Sequence, residues 1–66
     1  MQTTNIITID LPKKTDAFIA GNKLKNIPGI KGVSMVTLQQ LRVKYDIRKT
    51  TADSIAAIVN GTIDKH

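Results

Sequence analysis

Between an alternating apolar run, Ile7-Thr8-Ile9-Asp10-Leu11, and a helical pattern that begins near Ala17 lie Pro12, Lys13, Lys14, Thr15 and Asp16. A strand-to-helix turn is a common place for a site, because loops lie at the surface and a helix N-terminus offers unpaired N–H groups. The polar residues here supply two ammonium groups, a hydroxyl and a carboxylate. Lys13, Lys14, the Thr15 hydroxyl and the helix N–H groups could together hold a small phosphorylated ligand. Two features oppose that chemistry: the stretch has no glycine to bring the backbone close, and Asp16 repels an anion. The plainer reading is a helix start, with Thr15 as N-cap and Asp16 complementing the dipole in the first turn.

Other reactive side chains are few. The chain has no cysteine and a single histidine, His66. Disulfides, thiolate metal sites, Fe–S clusters and a Cys nucleophile are therefore excluded. Neither a Ser-His pair nor a multi-His metal site is expected within one chain. All five acidic residues are aspartates, and Asp10, Asp16, Asp46, Asp53 and Asp64 are too scattered to suggest a paired-carboxylate site. With no legible nucleophile–base pair, the chain is not read as an enzyme, and no cofactor is expected. Residual metal binding would fall to Met1, Met35 or His66. Of these, Met35 alternates with Val33 and reads as core filler, and His66 reads as a frayed terminal residue.

The elements that must position the loop follow from hydrophobic period. Residues 5–11 read as a strand with Ile7, Ile9 and Leu11 on one face, ended by Pro12. Ala17, Ala20, Leu24 and Ile27 recur at helical spacing, and Phe18 and Ile19 are expected to widen that buried stripe. Gly21 weakens the helix, and Pro28-Gly29 closes it. A second strand, 30–37, carries Val33, Met35 and Thr37 in alternation. A third, 41–47, turns Leu41, Val43, Tyr45 and Ile47 inward and Arg42, Lys44 and Asp46 outward. The short link between them predicts an antiparallel hairpin. Thr50 or Thr51 should cap a second helix with Ile55, Ile58 and Val59 buried, and Asn60-Gly61 should end it before a short strand at Thr62-Ile63. The order β-α-β-β-α-β predicts an α+β, ferredoxin-like sandwich: a four-stranded antiparallel sheet with both helices on one face. Thr8, Asp10, Ser34, Val36, Arg42 and Lys44 should line the open sheet face.

Sixty-six residues make one domain, 1–66, with one small core. A chain of this length buries only about 60% of its unfolded surface, and its core alone supplies roughly 3–5 kcal/mol. Ten Lys+Arg against five acids give a net charge of +5, which favours acidic partners but also lies within the ordinary range for a soluble domain. MQTTN lacks the basic start of a secretory leader, and no apolar run approaches the roughly 20 residues that span a bilayer. A cytoplasmic, soluble monomer without membrane contact is expected.

"LKNIPGIKGVSMV", "LRVKYD" and the spacing onward to "SIAAIVNG" together resemble the heavy-metal-associated (HMA) domain over about residues 6–64. That family includes copper chaperones, N-terminal modules of copper-transporting ATPases and mercury-binding proteins. The resemblance implies a ferredoxin-like fold and a metal loop, M-x-C-x-x-C, between the first strand and first helix. Threading back from Pro28-Gly29 places Leu11 at the Met position, Lys13 at the first Cys and Asp16 at the second. The degenerate metal-loop positions are thus Lys13, Lys14, Thr15 and Asp16, with no metal ligand set. Cu(I) and Hg(II) prefer polarisable sulfur, and a lysine ammonium has no lone pair to give.

Three functions are weighed on this basis. The first is a metallochaperone-like interaction module without Cu(I) binding. It would dock on an acidic partner face, such as a metal-transporting ATPase domain, through Lys13, Lys14, Lys23, Lys25 and Lys65. Those lysines read equally well as a solvated helix surface. The second is the anion site described above. The third is RNA binding, which shares this element order, but the open sheet face has no aromatic for base stacking, so nucleic acid is not expected.

Overall fold

The computed structural model describes residues 2–64. The readings that fall on Met1, Lys65 and His66 lie outside the described residues. Six elements follow in order: β1 (Thr4–Asp10), α1 (Ala17–Lys25), β2 (Ile30–Thr37), β3 (Gln40–Asp46), α2 (Ala52–Ile58) and β4 (Thr62–Ile63). The strands form one sheet in the order β2-β3-β1-β4, every neighbour antiparallel. This is the ferredoxin-like α+β arrangement, with β3 inserted between β1 and β2, and β1 between β3 and β4.

Register places Ile7 opposite Val43 and Ile9 opposite Leu41, so the apolar residues of the two central strands share one face. Onto that face pack Ala17, Ala20 and Leu24 of α1 and Ile55 and Val59 from α2 and its C-cap. The α1 positions 17, 20, 21 and 24 are buried and small except for Leu24, which lets the helix lie close to the sheet. Phe18 and Ile19 do not widen this stripe; both are exposed. At about 100° per residue they point roughly 110° and 150° away from its centre.

The α1 cap is Asp16, one residue later than Thr15. Its carboxylate accepts from Phe18 N–H at 2.8 Å. Thr15 lies in the preceding turn, where its N–H donates to the Pro12 carbonyl (2.9 Å). In α2 the cap is Thr51, accepting from Ser54 N–H at 3.2 Å. Asn60 ends that segment in the left-handed region (φ 55°). Gly61 serves a different need: a Cβ there would collide with the Ile9 side chain and lie 3.0 Å from the Asp10 carbonyl oxygen.

Leu41, Val43 and Tyr45 point inward as expected, but alternation stops at Asp46. Ile47 is exposed. Its N–H pairs with the Thr3 carbonyl (2.8 Å), and the chain then turns so that Lys49 and Thr50 N–H groups both reach the Asp46 carbonyl. Asp46, expected outward, is buried, with 1% of its surface accessible. Its carboxylate accepts from Arg48 N–H (2.9 Å), Nε (3.1 Å) and Nη2 (3.0 Å). The side-chain bonds from Arg48, then the backbone bond, hold this carboxyl at about 2 against an ordinary 3.8. Met35 is not core filler either. It pairs with Leu41 but lies on the outermost strand beside a register shift, and it stays 53% exposed.

Candidate functional site

The segment from Leu11 to Ala17 is tied to the two-residue β2–β3 turn, Leu38-Gln39. Leu11 N–H donates to the Gln39 carbonyl (2.8 Å), and Gln39 Nε2 donates back to the Lys13 carbonyl (3.0 Å). Ala17 N–H donates to the Leu38 carbonyl (3.2 Å). The turn itself is closed by Thr37, whose hydroxyl accepts from Gln39 N–H at 3.2 Å. These bonds fix the backbone of both segments, with Leu11 and Ala17 buried in the core and the side chains between them toward the surface. Lys13, Lys14 and Asp16 are exposed, Thr15 is half-buried, and Leu38 is 74% exposed. Together with Gln39 they line a shallow recess of about 270 Å³.

Asp16 has a local task here, because its carboxylate is the helix cap. The first two N–H groups of α1 are already engaged, Ala17 with Leu38 and Phe18 with Asp16. An anion arriving at this helix end would meet a carboxylate and find those two donors taken. Among the described residues no cluster of three or more His, Cys, Asp or Glu side chains could hold a metal ion.

The lysines named from the sequence divide into three places. Lys13 and Lys14 share the corner between loop and turn. Lys23 borders the cleft between α1 and the end of α2, beside Ile19, Ile58 and Asn60. Lys25 borders the opposite flank of α1, beside Phe18 and Met35. Among the described residues, these lysines line three separate recesses, and only Lys13 and Lys14 share one. Leu38 is the member that sequence reasoning missed. Its signal was present, since a leucine at the tip of a two-residue hairpin has no core within reach.

The open sheet face carries Thr8, Asp10, Ser34, Arg42 and Lys44 as expected, together with exposed Ile6; Val36, also expected there, is exposed at the Met35/Thr37 register shift, and among the described residues no aromatic ring lies on this face. At its β4 side, Gln40 Nε2 bridges Asp10 (2.8 Å) and Asp64 (3.3 Å). Tyr45 is buried on the helix side, within 3.5 Å of Asn5 Nδ2. No described helix is long and apolar enough to cross a membrane. Compared with family models, with curated proteins and with solved structures, the chain matches none of them.

Proposed function

We propose that this chain is a cysteine-free, HMA-like interaction module of the cytoplasm. It docks onto an acidic face of a partner protein, such as a metal-transporting ATPase domain, and carries no Cu(I) in its loop. One observation carries the reading: Leu38, the most exposed large apolar residue among the described residues, is held by backbone bonds beside the Lys13–Lys14 pair. An exposed leucine on a fixed backbone beside two lysines, with the neighbouring Asp16 carboxylate engaged as a helix cap, is suited to a protein surface of opposite charge, where the lysines steer encounter and the leucine supplies buried area. The engaged helix N–H groups weigh against a phosphorylated ligand. The ring-free sheet face weighs against base stacking, which single-stranded RNA recognition relies on.

The test places a photo-crosslinking residue at position 38 in the host cell. A discrete crosslinked partner with an acidic surface is expected, and it should be lost when Lys13 and Lys14 are both changed to Glu. No crosslink, or one indifferent to the charge reversal, refutes docking through this corner.

A further inference from the structure

We infer that the groove between α1 and β2 binds an extended acidic peptide segment of a partner protein, which seats a leucine-sized side chain between Phe18 and Met35. This goes beyond the docking corner, since it concerns a different flank of the molecule. The groove has a volume of about 250 Å³, with Gly21, Val33 and Leu41 at its base and Lys25 on its rim. Phe18 is 67% and Met35 53% exposed, so two large apolar side chains stand at its sides. That volume is below the range of cofactor and drug-sized sites and suits one or two side chains.

The groove is left open by its own residues. A Cβ on Gly21 would sit 3.5 Å from Val33 Cγ1 and 3.8 Å from Leu41 Cδ2, ordinary contact distances. Packing therefore does not require glycine there, yet glycine is the residue that keeps the floor low.

The occupant's chemistry follows from edge and charge. β2 is the outermost strand of the sheet on this side, so its outer backbone groups have no strand neighbour. An extended chain can add to such an edge and place alternate side chains into an adjoining pocket. Register shifts lie at Ile30/Gly32 and Met35/Thr37, which leaves Gly32–Met35 as the regular stretch available for pairing. Lys25 borders the groove and Lys31 lies on the strand, while no carboxylate lines it. A second copy of this chain would bring lysines against lysines at a net charge of +5 each. An acidic segment meets none of that repulsion.

The experiment is an amide chemical-shift titration of the full chain with a capped seven-residue peptide that alternates glutamate with leucine. Saturable shifts are expected over residues 18–25 and 31–35. The same peptide with lysine for glutamate should bind at least tenfold more weakly. The double variant Phe18→Ala/Met35→Ala should lose about tenfold in affinity with its thermal midpoint unchanged, because both side chains stand outside the core. Lys25→Glu supplies a second variant that leaves the apolar walls intact and should weaken binding several-fold. Shifts confined to residues 13–16 and 38–39 would overturn the groove and leave the corner reading standing. No shifts, equal binding of the lysine peptide, or a dimer that covers the groove without peptide would each overturn the inference.

Discussion

Replacing Gly21 by alanine should stabilise this protein. The position lies in the middle of α1, where glycine is less favourable than alanine by about 1 kcal/mol through backbone entropy and exposed backbone. The added methyl meets Val33 Cγ1 at 3.5 Å and Leu41 Cδ2 at 3.8 Å, so it makes contacts without forcing a neighbour to move. A fully buried methylene contributes about 0.8 kcal/mol. The groove floor is partly open to water, so only a fraction of that applies. The expected gain is about 1–1.5 kcal/mol, or roughly 4–12 °C in midpoint for a domain of this size. Urea denaturation followed by circular dichroism measures it, with the slope required to stay unchanged so that the shift reports stability alone. Destabilisation, or a gain below about 0.5 kcal/mol, refutes the reasoning. It would mean that α1 lies closer to β2 and β3 than these distances state. The same variant should bind the glutamate–leucine peptide less well than the wild type, since it raises the floor of the groove.

Three further outcomes are expected. Gly61→Ala drives a methyl into Ile9, which is fully buried at the centre of the sheet; overpacking of this kind costs about 1–3 kcal/mol, most of the margin of so small a core, and denaturation within about 0.5 kcal/mol of wild type would refute it. Asp46 has a folded pKa of about 2 against an ordinary 3.8, so the stability it contributes is fully present above about 3.8 and is lost as pH falls through 2. Arg48→Ala should flatten the acid limb of stability against pH in that window, and identical limbs would refute the pairing. The double variant Lys13→Cys/Asp16→Cys should compete for Cu(I) against a chromophoric chelator far better than either single variant, at about 1 kcal/mol of stability for the lost cap. A folded double variant that competes no better than the singles refutes the register on which the HMA resemblance rests.

Period carried most of the fold. Leu41-Val43-Tyr45 and Ile7-Ile9-Leu11 could be assigned to one face because strand alternation is strict. The two βαβ units then left one arrangement of four strands and two helices. The errors cluster where residue type was read as burial. Phe18, Ile19, Met35 and Ile47 are apolar and exposed, because a chain this short has more apolar residues than its core can enclose. Asp46 went wrong in the opposite direction. Its charge suggested solvent, but Arg48 two residues on satisfies it locally. By residue type Thr15 is as good a cap as Asp16, which puts Asp16 in the first turn of the helix when the sequence alone is considered. The turn from Pro12 to Thr15, which sets the helix start one residue later, is shown by no periodic pattern. Leu38 beside Lys13 joins positions 25 apart in sequence, and such a pairing becomes visible only once the sheet order is known.

Charge in the first loop therefore divides by task. Asp16 is consumed by the helix, since its carboxylate faces Phe18 N–H at 2.8 Å and sets where α1 begins. Lys13 and Lys14 take no part in that cap; the loop uses only the Lys13 carbonyl, and their ammonium groups are left to solvent or to a partner. Ala17 connects this corner to the groove. Its N–H holds the Leu38 carbonyl, and it also lines the groove beside Phe18 and Gly21. A side chain larger than alanine at position 17, which is fully buried in the core cluster, would overpack it. A partner that engaged both surfaces would cross the first turn of α1 at this residue. Charge reversal at Lys13 and Lys14 and wall removal at Phe18 and Met35 should then be nearly additive in affinity for such a partner, because the two pairs line different recesses, and the Asp16 cap on Phe18 N–H, a link between them, is left in place by all four changes.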